Sequence, residues 1–274
     1  MGFVFNIGKN KAFQNLFHNL FNLKSEKNQP MKPQYTLSVL LATFLIVSCG
    51  SSKSNEEKTI DNAAQTEEWT SLFNGKDFSG WEMYGEEPIM PQWEIVDGAI
   101  ACNVGLGEEN AGFNRSVMTT AEYANFELEL EYKISKGGNS GVFYHVVQLE
   151  GNGHDYLTGP EFQLLDDEFS RSESEANKMV GANYSMHAAA ETKKPNPFME
   201  WNKIKIVYNN GHVEHWLNGE KVLEFEEGSE DWLARKAAGK WANYEFWAKS
   251  KTGRISLQNH GDEVYFKNIR IKEL

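Results

Sequence analysis

The chain has 274 residues, with 39 acidic and 27 basic side chains and a formal net charge of −12. Residues 1–48 hold five Lys and one Glu, so the remaining chain carries a net charge of −16. This balance argues against a nucleic-acid partner, because phosphate binding requires clustered Lys and Arg. The length allows one large β domain or two small ones.

The first 68 residues of the chain are typical of an exported lipoprotein. Residues 1–30 precede a second Met, and we interpret them as an extension from a mis-assigned start codon. Residues 31–48 place an apolar run after Lys32, too short for a membrane span but typical of a signal peptide. The sequence Ile-Val-Ser before Cys49 resembles a lipobox, which predicts lipidation of Cys49.

The segment that follows predicts a tether and a location. Residues 49–68 are polar and have no apolar periodicity, so we expect a disordered linker. We expect the protein at the outer membrane, facing the periplasm or the cell surface and held by its lipid anchor alone. Once Cys49 is lipidated only Cys102 remains, which excludes an internal disulfide.

Residues 69–274 predict a single β domain. Residues 126–134 alternate apolar and charged side chains, and residues 201–225 form a three-strand meander with two Asn-Gly turns. Residues 255–274 predict two closing strands. Further strands are expected at 92–96, 142–147, 161–165 and 243–248, and short helices at 172–179 and 230–239. This pattern predicts an all-β fold, a two-sheet β-sandwich or jelly roll with short helical excursions.

Strand alternation places polar side chains on shared faces. With Phe162 and Leu164 in the core, Glu161 and Gln163 face outward. The same rule turns His145 outward from the strand at 142–147, and Gln258 and His260 outward near the closing strands. If these faces belong to one sheet, they line a groove with an acid, imidazoles and amides, groups that suit the hydroxyls of a sugar.

A run of small residues, Gly137 to Gly141, precedes the strand at 142–147. We expect a tight turn at the groove's edge, where Asn139 and Ser140 reach a ligand and Gly141 lets the backbone come close. The alternative is a plain hairpin turn before a core strand.

Several motifs occur in an order that resembles the 3-keto-disaccharide hydrolase family. They are SLFNGKDFSGW (71–81), GGNSGVFYH (137–145), GPEFQLLDD (159–167), GANYSM (181–186), EWNKIKI (200–206), WLNGEKV (216–222) and ISLQNHGDEVYFKNIRIKEL (255–274). The resemblance covers residues 69–274 and implies a sandwich of the concanavalin A-like lectin/glucanase type. Many members carry Arg where this chain has His145, which leaves the substrate open.

The resemblance implies cleavage of 3-keto-glycosides or 3-keto-disaccharides. A separate sugar oxidoreductase supplies the C3 ketone, which acidifies the C2 proton; a base removes that proton and the enolate expels the C1 substituent. Whether the outcome is hydrolysis or elimination stays open.

The catalytic candidates are Glu161, His260 and Asp166, with Glu161 or His260 as the base. The substrate-binding candidates are Asn139, Ser140, His145, Gln163, Tyr184 and Gln258. No cofactor is required by this chemistry, although a divalent cation on Glu161, Asp166 and His260 is an open alternative.

Two other functions stay open. The strand EFQLLD resembles the ExDxxE strand of β-glucanases, with Glu161 as nucleophile, Gln163 in place of Asp and Asp166 in place of the acid/base Glu. A glycan-binding lipoprotein without catalysis is the second alternative. The clustering of ionisable groups on one predicted face favours an enzyme.

Overall fold

The computed structural model describes residues 68–85, 88–105, 115–151, 153–170 and 174–274, all within one compact unit, Asn62–Leu274. The predicted N-terminal extension and signal peptide, the lipidation site Cys49 and most of the tether lie outside the described residues. No helix in the described ranges is both long and apolar enough to cross a bilayer.

Two antiparallel sheets form a sandwich, as the alternation predicted. The strands are β1 (Thr70–Ser71), β2 (Trp81–Met83), β3 (Trp93–Val96), β4 (Ala99–Cys102), β5 (Val117–Thr119), β6 (Phe126–Ile134), β7 (Asn139–Val146), β8 (Glu161–Leu165), β9 (Asn202–Asn209), β10 (His212–Leu217), β11 (Glu220–Glu226), β12 (Arg254–Leu257) and β13 (Val264–Glu273). Within the described residues, the larger sheet has the order β11-β10-β9-β6-β13-β4-β3, with β1 also paired to β13. The smaller sheet has the order β2-β5-β12-β7-β8.

Local sequence signals set the larger sheet. The two Asn-Gly turns join β9, β10 and β11, and all four turn residues have positive φ, from 50° at Asn218 to 94° at Gly211. Asn and Gly tolerate this conformation, which matches the twist of the flanking strands. The charged face of β6 is half-buried under cross-strand ion pairs, such as Glu129 with Lys203 and Arg270.

The core lies between the two sheets. The larger sheet contributes the buried apolar face of β6, and the smaller sheet contributes Val142, Phe162, Leu164, Ile255 and Leu257. A second, small apolar cluster lies on the outer side of the smaller sheet, where Phe143 and Val146 pack against Tyr84 and Met118. This cluster leaves one end of that outer face to polar side chains.

A β-bulge in β7 overturns the predicted orientation of His145. Phe143 pairs with Ser256 and Val146 with Arg254, so two residues of β7 oppose one residue of β12. His145 adopts φ 52° at the bulge, which turns its ring into the core against Phe126 and Tyr208. Simple alternation therefore gives the correct face up to Tyr144 and the wrong face for His145.

Two further segments depart from prediction: the chain around 243–248, and the expected helix at 172–179, where the described residues form only a 3₁₀ turn, Ala176–Lys178. Residues Lys240–Asn243 form a 3₁₀ turn and the next residues are irregular, where a strand was expected. The short helix α1 (Glu230–Ala238) precedes them, with Ser229 accepting a hydrogen bond from Trp232 N–H and Gly239 at its end. Trp241 and Trp247 stack at 4.7 Å, and burial of these large rings fixes an irregular path.

Strand β8 lies at the edge of the smaller sheet, and the segment 181–187 covers that edge. Gln163 N–H donates to Ala182 O at 3.1 Å, Gly181 N–H donates to Gln163 O at 2.9 Å, and Tyr184 N–H donates to Glu161 O at 3.1 Å. These bonds hold Tyr184 beside the polar face of β8.

Candidate active site

A cleft of about 230 Å³ opens on the outer face of the smaller sheet. It is lined by Ser116, Asn139, His154, Asp155, Tyr156, Glu161, Gln163, Tyr184, Lys240, Gln258, Asn259 and His260. Strands β7 and β8 form its floor, the residues after β12 form one wall, and the two 3₁₀ turns Asp155–Leu157 and Lys240–Asn243 contribute to the rim.

The carboxylate of Glu161 lies on the floor, directly above the bare backbone of Gly141. A Cβ at Gly141 would stand 2.2 Å from Glu161 Oε1, so any other residue there would displace the carboxylate. Glu161 is 5 % exposed, and its side chain opens to the cleft. We predicted that Gly141 lets a ligand approach the backbone closely. In the structure, the side chain of Glu161 makes this close approach.

Buried amides surround Glu161. Gln163 Nε2 donates to Asn139 Oδ1 at 3.2 Å, which fixes the Gln163 side chain. The buried oxygens Oε1 of Gln163 and Gln258 have no hydrogen-bond partner among the described residues. A buried acceptor without a partner costs roughly 1–3 kcal/mol. A ligand that brings hydroxyl donors recovers this energy.

A second carboxylate, Asp155, is fixed by its neighbours. Its Oδ2 accepts from Ser256 Oγ at 2.8 Å, its Oδ1 accepts from Tyr156 N–H at 2.9 Å, and Ser116 bonds its side chain as well. Burial raises the pKa of Asp155, and the hydrogen bonds from Ser116 and Ser256 oppose that rise. These contacts join the loop before β8 to strands β5 and β12, so Asp155 holds the rim in place.

Aromatic rings and one cation complete the rim. His154 and Tyr156 stack at 5.2 Å, and Lys240 Nζ lies 4.5 Å from the centre of the Tyr184 ring. Trp241 Nε1 donates to Tyr184 O at 3.0 Å and supports this side of the cleft. Lys240 is the ammonium group that lines the cleft.

His260 lies at the open end, after a well-anchored pair of amides. Asn259 is buried, and its Oδ1 accepts from Asn103 Nδ2 at 2.8 Å and from Gly261 N–H at 2.9 Å. The chain therefore turns sharply, and the exposed side chain of His260 lines the cleft above Glu161's face of the sheet.

The structure brings together six of the nine residues proposed from the sequence. They are Glu161, His260, Asn139, Gln163, Tyr184 and Gln258. His145 is buried in the core, where its Nε2 lies 2.8 Å from Ala124 O. Ser140 faces the other way from Asn139 and donates its hydroxyl to Gln258 O at 2.9 Å, so it does not line the cleft.

Asp166 lies outside the cleft. Its Oδ2 accepts from Gly137 N–H at 2.7 Å, and its side chain lines a separate depression beside Phe198. The register of β8 with β7 is regular from Glu161 to Leu165, so no bulge turns Asp166 toward Glu161. The carboxylate pair of a retaining glucanase and the proposed cation triad both need Asp166 near Glu161, and this geometry provides neither.

Among the described residues, three metal-ligating side chains lie close together. They are His212, Glu214 and Glu224, whose ligand atoms all lie within 4.8 Å of one another. These residues lie on the β10–β11 hairpin of the larger sheet, away from the cleft. Lys221 already pairs with both of these carboxylates.

Six cleft residues escaped sequence reasoning. They are Ser116, His154, Asp155, Tyr156, Lys240 and Asn259. Most of them lie in loops or 3₁₀ turns, which carry no strand periodicity, and tertiary contacts such as Asp155 with Ser256 bring them to the sheet. The sequence signal available was weak: an aromatic residue and an acid in the loop before Gly-Pro.

Comparison with known proteins shows the family to which the chain belongs. Residues 68–272 match the family model described as the 3-keto-alpha-glucoside-1,2-lyase-like domain. A 3-keto-disaccharide hydrolase of Bacteroides thetaiotaomicron is 32 % identical, over 88 % of this chain and 98 % of that protein.

Two crystal structures of proteins from Parabacteroides distasonis ATCC 8503, both assigned as glycosyl hydrolases, share the fold. One is 41 % identical, with a TM-score of 0.67 over 75 % of this chain and 94 % of the other. The second is 26 % identical, with a TM-score of 0.59 over 76 % of this chain and 100 % of the other. The chain therefore belongs to the 3-keto-alpha-glucoside-1,2-lyase-like domain family.

Proposed function

We propose that this protein is a carbohydrate-active hydrolase that cleaves glycosides whose sugar carries a ketone at C3. The position of Glu161 carries the proposal: a carboxylate on a cleft floor, beside buried amide oxygens that have no donor within the part of the chain that the structure describes. The name of the B. thetaiotaomicron relative supports the substrate class. A polyhydroxylated sugar supplies the donors that Gln163 and Gln258 need.

Glu161 acts as the general base. Its carboxylate takes the proton from C2, the C–H electron pair forms a C2=C3 double bond, and the C3 oxygen becomes an enolate. Asp155 has a structural role instead, since its bonds with Ser256, Tyr156 and Ser116 hold the rim of the cleft in place.

Lys240 stabilises the enolate, and His260 protonates the leaving oxygen. The Lys240 ammonium lines the cleft, and positive charge placed where an oxyanion develops lowers the barrier. The enolate electrons re-form the ketone as the C1–O bond breaks, leaving a C1=C2 double bond conjugated with it. Water then adds its oxygen to C1 and a proton to C2, which gives the free 3-keto sugar.

The test compares 3-keto and unoxidised forms of one aryl glucoside, with and without a chelator. We expect release from the 3-keto form alone, and a fall in kcat of at least about 100-fold for Glu161→Gln. Ser140→Ala is the control, because Ser140 lies next to the cleft residue Asn139 but does not line the cleft. Cleavage of the unoxidised glycoside by the wild type would contradict the proposal, and tight sugar binding without turnover would indicate a binding protein.

A further inference from the structure

The cleft is smaller than a typical small-molecule pocket. At about 230 Å³ it falls below the roughly 300–1,000 Å³ typical of small-molecule pockets. If it holds the oxidised sugar, as the proposed function requires, the group attached at C1 must extend beyond it. That group then contacts a neighbouring part of the protein surface.

A second depression, of about 350 Å³, is lined by residues from the same two turns that form the rim of the cleft. Two short turns contribute to both. The 3₁₀ turn Asp155–Leu157 lines the cleft with Tyr156 and the depression with Leu157. The 3₁₀ turn Lys240–Asn243 lines the cleft with Lys240 and the depression with Asn243.

The depression is mostly apolar. Leu149, Leu157, Tyr244 and Phe246 supply its apolar lining, and Asn243 and Glu245 supply its polar lining. Phe246 is 45 % exposed, and the Tyr244 ring is held edge-on against Trp241 at 5.2 Å. A flat apolar ring gains by covering such exposed aromatic surface.

We propose that this depression is the aglycone site, and that the substrates of this protein are 3-keto glycosides with a flat apolar aglycone, such as an aryl group. The sugar lies over Glu161, its C1 oxygen lies at the rim near Tyr156, and the aglycone lies on Phe246 and Leu149. The rim thus separates a polar sugar site from an apolar aglycone site.

The test compares the preference for an aryl aglycone between variants. The kcat/KM for 3-keto 1-naphthyl glucoside is divided by that for 3-keto methyl glucoside, and both anomers are measured. This ratio is then compared among the full-chain wild type, Phe246→Ala and Phe198→Ala. Comparing variants cancels the intrinsic difference between the two leaving groups. Phe198 is a matched control, since it is also exposed, at 39 %, and lines a different depression.

We expect the ratio to fall about tenfold in Phe246→Ala and to stay unchanged in Phe198→Ala. An unchanged ratio in active Phe246→Ala enzyme would overturn the aglycone site and leave the proposed function intact. If no variant cleaves either 3-keto glycoside, the proposed function fails, and calorimetric titration with unoxidised 1-naphthyl glucoside decides the site. Binding about tenfold weaker in Phe246→Ala than in Phe198→Ala supports the aglycone site. Equal binding by the two variants, or no detectable binding by the wild type, overturns it.

Discussion

At the scale of single residues, the site depends on a contact between a glycine and a carboxylate. Gly141 and Gln163 are cross-strand partners in β7 and β8, and Glu161 lies two residues from Gln163 on the same face. The space that Gly141 leaves is filled by Glu161. Turn chemistry alone does not explain this glycine, because a neighbouring strand sets the requirement.

The substitution Gly141→Ala tests this contact. The added methyl would stand 2.2 Å from Glu161 Oε1, so the carboxylate must move. We expect kcat/KM to fall about 100-fold, since displacement of a catalytic group by about 1 Å has that order of effect. The free energy of unfolding should fall by only about 1–3 kcal/mol. Normal activity in a folded variant would show that the position of Glu161 is not critical.

His145 makes stability depend on pH. Burial lowers its pKa to about 4, against an ordinary value of 6.5, and the contact with Ala124 O only partly opposes this. Because the unfolded chain binds the proton below pH 6.5 and the folded chain does not, stability falls as pH drops from 6.5 to 4. The contribution lost is about 3 kcal/mol by pH 4.

The measurement is chemical unfolding of the wild type and of His145→Gln between pH 7 and pH 4. A Gln amide can donate to Ala124 O but does not titrate, so the variant should lose less stability on acidification. Asp155, whose raised pKa acts in the opposite direction, contributes equally to both proteins. Parallel pH profiles would show that the fold does not lower the pKa of His145.

At the scale of elements, the sequence predicted what local periodicity encodes. Strand β6 and the β9–β11 meander were correct because alternation and Asn-Gly turns act within a few residues. The bulge in β7 was not predictable from alternation, since it depends on a distant glycine. A Cβ at Gly253 would lie 2.5 Å from the carbonyl carbon of His145. The rim turns were missed because long-range contacts position them.

Asp166 illustrates an element held by a side chain. Its carboxylate caps Gly137 N–H in the turn that starts β7, while Asp262 Oδ2 accepts from Asn139 N–H in the same turn. We expect Asp166→Ala to lower Tm by about 5 °C through loss of a charged hydrogen bond. Turnover of the 3-keto glycoside should stay within tenfold of wild type. A loss as large as that of Glu161→Gln would return Asp166 to the catalytic residues.

At the scale of the whole molecule, the N-terminal sequence predicts where the sandwich domain is located. We propose that lipidated Cys49 anchors the protein at the outer membrane, with residues 49–68 as the tether. In this arrangement the acidic domain, of net charge −16 after residue 48, works at a distance from anionic lipid.

The substitution Cys49→Ser tests the anchor. We expect the wild type in the membrane fraction, labelled by radioactive palmitate, and the variant unlabelled and in the soluble fraction. The variant has no thiol at residue 49 to carry the lipid, so its palmitate label is lost. The activity of the folded domain should be unchanged. Membrane association of the unlabelled variant would point to another attachment.

The segment 181–187, which covers the edge of β8, links substrate exchange to resistance against self-association. The hydrogen bonds that hold the segment 181–187 to β8 also hold Tyr184 in the cleft. Any motion that lifts this segment to widen the cleft bares an unpaired strand edge, to which another copy can add. Weaker main-chain bonds here would speed the exchange of substrate but would lower the resistance to self-association. Evolution cannot change one property without affecting the other.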